Sequence, residues 1–517
     1  MIKQSKVFLF LGINLFFILF GFFWIYHCRF WNDENWYYHG ALLFSKGMYP
    51  YIDFFYHRLP LHIELYGTLF KIFGASFLTG RIISLVFFIL LINIQALVVY
   101  KLFSNIQSII LSYTSFLIPM GLYSFLTNTT YSLNALLRTL SLLVLLSSWQ
   151  KHWKVFWFLL INFFLISNRY LVDYQTMFIL GLVIILCIKF RKDFAILGAI
   201  FAATFIGLCY IFKYSIFFGD INIFFDTIRF NIDQSSVKID NKNLSSIVRT
   251  FLNLRFEEFD SLYPYNILAF FSMGYLAFSW LKDKKNKENY EKKLSSEHTV
   301  AFSYVSIMIL LSFSFYYQTI ADYPPTKLYT FPFIMILCLA LINKLMDQSG
   351  PRTPNVFILF FLLFLGAPLA STGEFLKTNY FQSDLAIIRK VGAKINSYTH
   401  NQRGVMLSFT PVLANETIIN EPRLNMEMYA FKPSLDETFV ETHHLANEKI
   451  LKNNIEAKKY SIIVLEEGRF FAQKNMSKVI APYIPTLMES ITRNYELKEE
   501  ISTGDFMKSL QLYLPKQ

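Results

Sequence analysis

Cysteine is scarce in this chain: four among 517 residues, with none of the spacings that a disulfide framework or a metal knuckle needs. Cys187, Cys209 and Cys338 lie inside apolar runs and Cys28 closes one, so cysteine says nothing of the redox compartment. Charge is scarce as well. Asp, Glu, Lys and Arg supply 16% of the residues, against about a quarter in an ordinary soluble domain, which excludes both a set of water-soluble domains and a disordered chain. Glycine and proline, 20 and 16, are too few for a collagen-like or low-complexity protein. No glycine-rich phosphate loop follows a strand-like segment, so a nucleotide-binding fold is unsupported. No internal repeat is evident, which counts against a repeat-built transporter. What is present instead is apolar: 54% of the residues are hydrophobic and 57 are Phe.

That content is distributed in runs of membrane-crossing length. A spanning helix takes about 20 mostly apolar residues, and the sequence holds about eleven such stretches: 6–26, 81–100, 107–125, 131–149, 155–171, 174–190, 194–212, 263–281, 299–320, 329–346 and 355–373. The first is followed by His27, Cys28 and Arg29 rather than by a small-residue cleavage site, so an uncleaved anchor is expected. Cationic loops resist translocation and stay in the cytoplasm. Lys3 and Lys6, Lys101, Lys151 and Lys154, Lys189 to Lys192, six lysines within 282–293, and Lys344 with Arg352 fall on one side, while the short connections on the other hold Arg169 and Lys327. An inside N-terminus and an outside segment 374–517 follow. That segment has 18 Lys and Arg against 17 Asp and Glu, so nearly all of the net charge of +12 belongs to residues 1–373. The basicity serves topology, and no nucleic-acid partner is implied.

The expected fold class is therefore a polytopic α-helical membrane protein of about eleven spans with a small C-terminal outer α/β domain. Residues 1–373 form the transmembrane module, with outer loops at 27–80 and 213–262, and 374–517 the outer domain. Within the first loop, Leu61, Leu65, Leu69 and Ile72 recur at helical spacing beside Glu64 and Lys71, which predicts an interfacial helix over 61–79. In the outer domain the patterning predicts helices at 384–396 and 477–494 and strands at 404–409, 460–465 and 507–514.

The first outer loop is the most unusual part of the chain. Trp31-Asn32-Asp33-Glu34-Asn35-Trp36-Tyr37-Tyr38-His39 is followed by Tyr51-Ile52-Asp53-Phe54-Phe55-Tyr56-His57-Arg58-Leu59-Pro60. A carboxylate held among aromatics at the bilayer surface is partly desolvated, which raises its basicity and suits it to take a proton from a hydroxyl. The competing explanation is an interfacial aromatic belt carrying ordinary solvated acids.

These two stretches resemble the first outer loop of GT-C membrane glycosyltransferases, in the bacterial branch similar to protein O-mannosyltransferases and the lipid A aminoarabinose transferase. The resemblance implies a GT-C-like fold and an inverting transfer of a hexosyl or pentosyl sugar from a polyprenyl-phosphate carrier to a glycan, lipid or protein acceptor. It implies the outer face of a bacterial inner membrane. It also implies catalytic roles for the acidic pair Asp33 and Glu34, with Asp33 as the general base, and a phosphate-binding role for Arg58. Arg169 in Ser167-Asn168-Arg169-Tyr170, and Lys327 ahead of Tyr329 and Pro332, match basic positions of the family more faintly and join Arg58 as donor-phosphate ligands. A leaving phosphate gathers charge that guanidinium and ammonium donors stabilise, whereas snorkelling to lipid headgroups would equally explain Arg169 and Lys327.

Two positions depart from the family. His57 stands where some relatives carry a metal-binding Glu, and Asn134 where many carry an Asp. A divalent metal could then draw on Asp33 and His57 alone, fewer donors than a metal site uses. A metal-independent reaction is expected, with His57 as a hydrogen-bond or phosphate partner. Arg138 lies inside the fourth span one turn after Asn134; intramembrane cations tend to face the bundle interior, so both are accessory candidates. The leading alternative is a transporter or flippase of a lipid-linked polysaccharide intermediate, which would string ionisable residues through several spans. A scaffold whose outer segment does the work leaves the polar, aromatic first loop unexplained.

Overall fold

The structure is a computed structural model that describes residues 2–29, 32–56, 58–117, 119–168, 174–219, 268, 271–272, 274–275, 299–309, 331–350, 353–377, 384–425, 431–432, 435–466, 483–504 and 508–517. Most of the expected span at 263–281, that at 299–320 beyond Ile309, and most of the 213–262 loop fall outside these residues.

The described helices of the N-terminal part are α1 (Ile2–His27), α2 (Asn32–Ser45), α3 (Leu61–Phe73), α4 (Phe77–Phe103), α5 (Ile106–Ser115), α6 (Pro119–Leu126), α7 (Tyr131–Leu145), α8 (Lys151–Ile166), α9 (Tyr174–Lys189), α10 (Phe194–Ile211) and α11 (Lys213–Phe218). Further helices run over Thr299–Ile309, Phe331–Ser349 and Thr353–Lys377. Among the described residues, Phe8–His27, Phe77–Phe103, Phe194–Ile211 and Phe331–Ser349 are long and apolar enough to cross a bilayer. Local signals set their starts. Ser76, Asn105 and Asp193 each accept the backbone N–H three residues on, capping α4, α5 and α10.

Two expectations are corrected by local backbone chemistry. The stretch 61–79 is not one helix: α3 stops at Phe73, Gly74 turns the chain with φ 83°, and Ser76 caps α4, which begins at Phe77. Only glycine takes that φ without strain. The face of α3 expected to be the apolar one is also the less buried one. His62, Ile63, Tyr66 and Phe70 are buried, while Ile72 is exposed. The stretch 107–125 is likewise broken into α5 and α6, because Pro119 has no N–H to continue a helix and is well suited to start one.

Buried side chains of α1, α4, α7, α8, α10 and Phe331–Ser349 share one apolar core. The outward faces are apolar too: Phe194, Phe201 and Phe205 on α10 are 86%, 64% and 70% exposed, opposite Ile200 and Ala203 at 0%. Water would penalise each such Phe by about 2 kcal/mol, whereas hydrocarbon does not. The helix ends are chemically unequal. The C-terminal end of α1 and the N-terminal end of α4 meet the C-terminal domain, through Arg389 over the Tyr26 ring at 5.9 Å and the Ala75 N–H bonded to Glu416. At the opposite end of the bundle, Lys151 at the start of α8 lies 4.4 Å from the Phe190 ring just after α9.

The C-terminal domain is a five-stranded sheet of order β2-β1-β3-β5-β4, with β1 (Gly404–Ser408), β2 (Ile418–Asn420), β3 (Ile462–Glu466), β4 (Tyr495–Gly504) and β5 (Lys508–Pro515). β2, β1 and β3 are parallel; β5 runs antiparallel to β3 and pairs with β4. Helices Asp384–Tyr398, Glu448–Glu456 and Ile484–Asn494 cover it. The buried β1 and β3 and the β5 strand match the sequence expectation. β2 and β4 were not expected, since one is three residues long and the other, YELKEEISTG, carries charge along an edge.

Candidate active site

The site is organised by α2, a polar helix that is buried almost throughout. Asp33 is 7% exposed and Glu34 0%. At about 100° per residue, neighbouring positions of α2, Asp33 and Glu34 among them, point in different directions.

Glu34 is held in an ion pair. Arg81, at the start of α4, donates Nε to Glu34 Oε1 at 3.0 Å and Nη2 to Oε2 at 2.7 Å, a bidentate fork. The Asn128 backbone N–H adds a bond to Oε1 at 2.8 Å. Arg81 also donates to the carbonyls of Ile25, Cys28 and Arg29 at the end of α1, groups left without partners where a helix ends. Its guanidinium lies 4.6 Å from the centre of the Phe77 ring. One buried ion pair thus joins α1, α2, α4 and the 127–130 turn. Arg81 went unnoticed in the sequence because it reads as the first residue of a span. Its signal was a cation at an outer helix end.

Asp33 and Tyr37, one turn apart, share another face of α2. The Arg58 guanidinium sits 5.2 Å from the Tyr37 ring centre, and the Arg58 carbonyl accepts a hydrogen bond from the Tyr51 hydroxyl. Tyr51 itself adopts φ 69°, a conformation that side-chain-bearing residues take at some cost. Tyr37 meets His62 edge-on at 4.6 Å, and His62 stacks on Tyr66 at 4.1 Å. Burial pushes the His62 imidazole down to about 3, with the Thr129 backbone opposing and the Arg58 charge adding to the drop. It is therefore neutral beside Arg58 and leaves the cationic role to the guanidinium.

The remaining candidates fall into two groups. Asn134 on α7 accepts a hydrogen bond from the Asn168 amide at 2.9 Å, just after α8, and Arg138 one turn further along α7 is fully buried. His57, Arg169 and Lys327 lie outside the described residues. Among the described residues no three His, Cys, Asp or Glu are grouped to hold a metal ion. Glu64, beside the apolar positions of the expected interfacial helix, is buried and accepts from the hydroxyls of Tyr210 and Tyr214 and from Lys213, tying α3 to the end of α10 and to α11. The Leu61 N–H bonds the Ser167 carbonyl at 3.0 Å, which anchors the start of α3 to the end of α8.

No protein-family model and no curated protein matches this sequence. Solved structures do. ArnT from Cupriavidus metallidurans bound to undecaprenyl phosphate superposes with a TM-score of 0.53 at 11% identity, over 98% of this chain and 98% of that one. Its apo state gives 0.53 at 10%. The oligosaccharyltransferase of Archaeoglobus fulgidus, tethered with an acceptor peptide, gives 0.50 at 11% identity over 98% of this chain and 74% of that one. Both proteins are GT-C glycosyltransferases. At these identities the likeness is one of fold, and the fold is GT-C.

Proposed function

We propose that this GT-C-fold chain is an integral membrane glycosyltransferase that moves a sugar from a polyprenyl-phosphate carrier to an acceptor at the outer face of a bacterial inner membrane. The observation that carries the proposal is the α2 face on which Asp33 and Tyr37 stand one turn apart with the Arg58 guanidinium over the Tyr37 ring. It pairs a carboxylate with a phosphate-binding cation at the outer end of a membrane bundle. The undecaprenyl phosphate bound to ArnT supports the carrier class, and the acceptor peptide tethered to the archaeal enzyme supports transfer to a separate acceptor.

In this mechanism the Asp33 carboxylate takes the acceptor hydroxyl proton as the oxygen attacks the anomeric carbon. The bond from that carbon to the carrier phosphate breaks with inversion, and the polyprenyl phosphate departs with the charge. Arg58, Arg169 and Lys327 are the cations proposed to stabilise it. Glu34 is assigned to holding α2, since Arg81 and the Asn128 N–H occupy both of its oxygens. With Glu34 so engaged, the metal-independent reading rests on Asp33 and His57 being fewer donors than a metal site uses. Lys101, Lys151 and Lys189 stand at bundle ends away from the outer domain, and positive-inside orientation then supports an inside N-terminus and an outside C-terminal domain.

The test is Asp33→Asn, checked for normal insertion and supplied with purified polyprenyl-phosphate sugar. Loss of the base should reduce turnover by about 10² or more; unchanged turnover would remove Asp33 from the chemistry. Reporter fusions after residues 285 and 400 test the orientation, and a cytoplasmic signal at 400 would overturn it.

A further inference from the structure

We propose that the outer domain is a splint for α2: Asn35, Tyr38 and His39 are positioning residues through which it fixes where Asp33 stands. The proposal rests on the assignment of Asp33 as the base. Positions 35, 38 and 39 are related as i, i+3 and i+4 and form one stripe. At 3.6 residues per turn that stripe lies about half a turn from the face of Asp33 and Tyr37.

Each member of the stripe is bonded to the outer domain. The Val412 N–H donates to Asn35 Oδ1 at 3.0 Å, the Tyr38 hydroxyl donates to the Ala414 carbonyl at 3.0 Å, and His39 Nδ1 and Asn425 Oδ1 are 3.0 Å apart. All three bonds are buried. Burial holds the His39 imidazole down near 3, opposed by the Asn425 side chain and the Asn420 backbone. The neutral ring is then the donor to Asn425 Oδ1. Gly40 lies at the same contact: a Cβ there would crowd Ile63 Cγ2 of α3 at 3.0 Å and stand in ordinary contact with the Asn425 amide at 3.5 Å.

The platform behind these bonds is stiff. Its two turns, 410–414 and 421–425, leave the carboxyl ends of the parallel strands β1 and β2. Asn420 clamps those ends together, accepting from the Ser408 N–H and donating to the Ser408 carbonyl, both at 2.8 Å. Thr410 bonds Glu466 at the end of β3 at 2.7 Å. By contrast α2 has 14 residues, a length at which an isolated helix is marginal in water. A roll of about 10° at a side-chain radius of about 5 Å moves a carboxylate by about 1 Å, a displacement that can cost about 10² in rate.

The experiment uses the full chain in lipid nanodiscs and compares wild type, Tyr38→Phe, Asn425→Ala, the double variant, His39→Ala and His39→Asn. Tyr38→Phe keeps the ring contacts with Phe70 and Phe77 and loses only the hydroxyl. Two quantities are read: amide hydrogen exchange over residues 32–45, and kcat with KM for a polyprenyl-phosphate sugar. The double variant should exchange at least tenfold faster in α2 and lose about tenfold or more in kcat, with KM within about twofold, because the phosphate-binding side is untouched. His39→Asn, which keeps a donor near the Nδ1 position, should recover most of what His39→Ala loses. Wild-type exchange in α2, or a change confined to KM, overturns the splint. If wild type transfers no sugar, the glycosyltransferase assignment fails instead, and the exchange measurement alone decides whether the outer domain holds α2.

Discussion

Helices α2 and α10 invert each other. α2 is polar and inside: Asp33, Glu34, Asn35 and His39 are all buried. α10 is apolar and outside, with Phe194, Phe201 and Phe205 among its exposed side chains. In a soluble protein both would be errors. In a bilayer protein the difference teaches that polarity is retained where it is paired and put to use, and that apolar exposure is the solvent-facing norm. The same principle accounts for Glu34, fully buried and held by Arg81 and the Asn128 N–H.

The strongest way to break this comparison is to remove the pairing. Glu34→Ala leaves the buried Arg81 guanidinium without its counter-charge, and breaking a buried pair costs about 3–5 kcal/mol. We expect low yield and a large fall in the melting temperature in detergent, with partial recovery in Glu34→Ala/Arg81→Leu, which removes both charges. Normal melting of the single variant would show that Glu34 does not hold α2. Asp33→Asn should instead melt like wild type and fail in transfer, so the two neighbours are predicted to separate stability from activity.

A smaller effect follows from protons. His39 and His62 are both held down to about 3 by burial, while an unfolded histidine titrates near 6.5. As the pH falls, the unfolded chain binds protons first, so this stability is complete above about pH 6.5 and drains below it. At pH 5 each imidazole removes about 2 kcal/mol. Melting should therefore fall between pH 7.5 and 5, and the fall should shrink in His39→Asn. A pH-independent melting temperature over that range would contradict the buried, neutral assignment of both rings.

Smaller still is Glu64→Gln. The amide keeps an acceptor oxygen for one of the Tyr210 and Tyr214 hydroxyls, turns its NH2 to the other, and loses the charge opposite Lys213, whose side chain is 22% exposed and can turn to water. A loss of about 1–2 kcal/mol is expected, well below that of Glu34→Ala. Equal losses would mean that the partner's burial does not set the cost.

How much of this was legible depends on how far apart the partners lie in the chain. β1 and β3 could be read because buried parallel strands are continuous apolar runs, Gly404–Ser408 and Ile462–Glu466. β4 could not, since Tyr495–Gly504 is charged and is a strand because β5 pairs with it. Asp33 and Glu34 stood out as acids among aromatics, but the pairing of Glu34 was invisible, because it meets Arg81 across 47 residues. The contacts from Asn35, Tyr38 and His39 reach Val412, Ala414 and Asn425, still further away. Local periodicity carries no trace of such pairings.

The smallest predicted effect sharpens the other half of the comparison. Phe205→Leu on α10 exchanges one apolar side chain for another at a position 70% exposed. Lipid tails are as apolar as leucine, so neither the transfer term nor a cavity term should appear, and melting in lipid nanodiscs should stay within about 0.5 kcal/mol of wild type. A loss of 2 kcal/mol or more is the size expected when a packed core side chain is cut back. Such a loss would mean that this face of α10 is packed against protein, and its exposed phenylalanines would then be an interface rather than a lipid-facing surface.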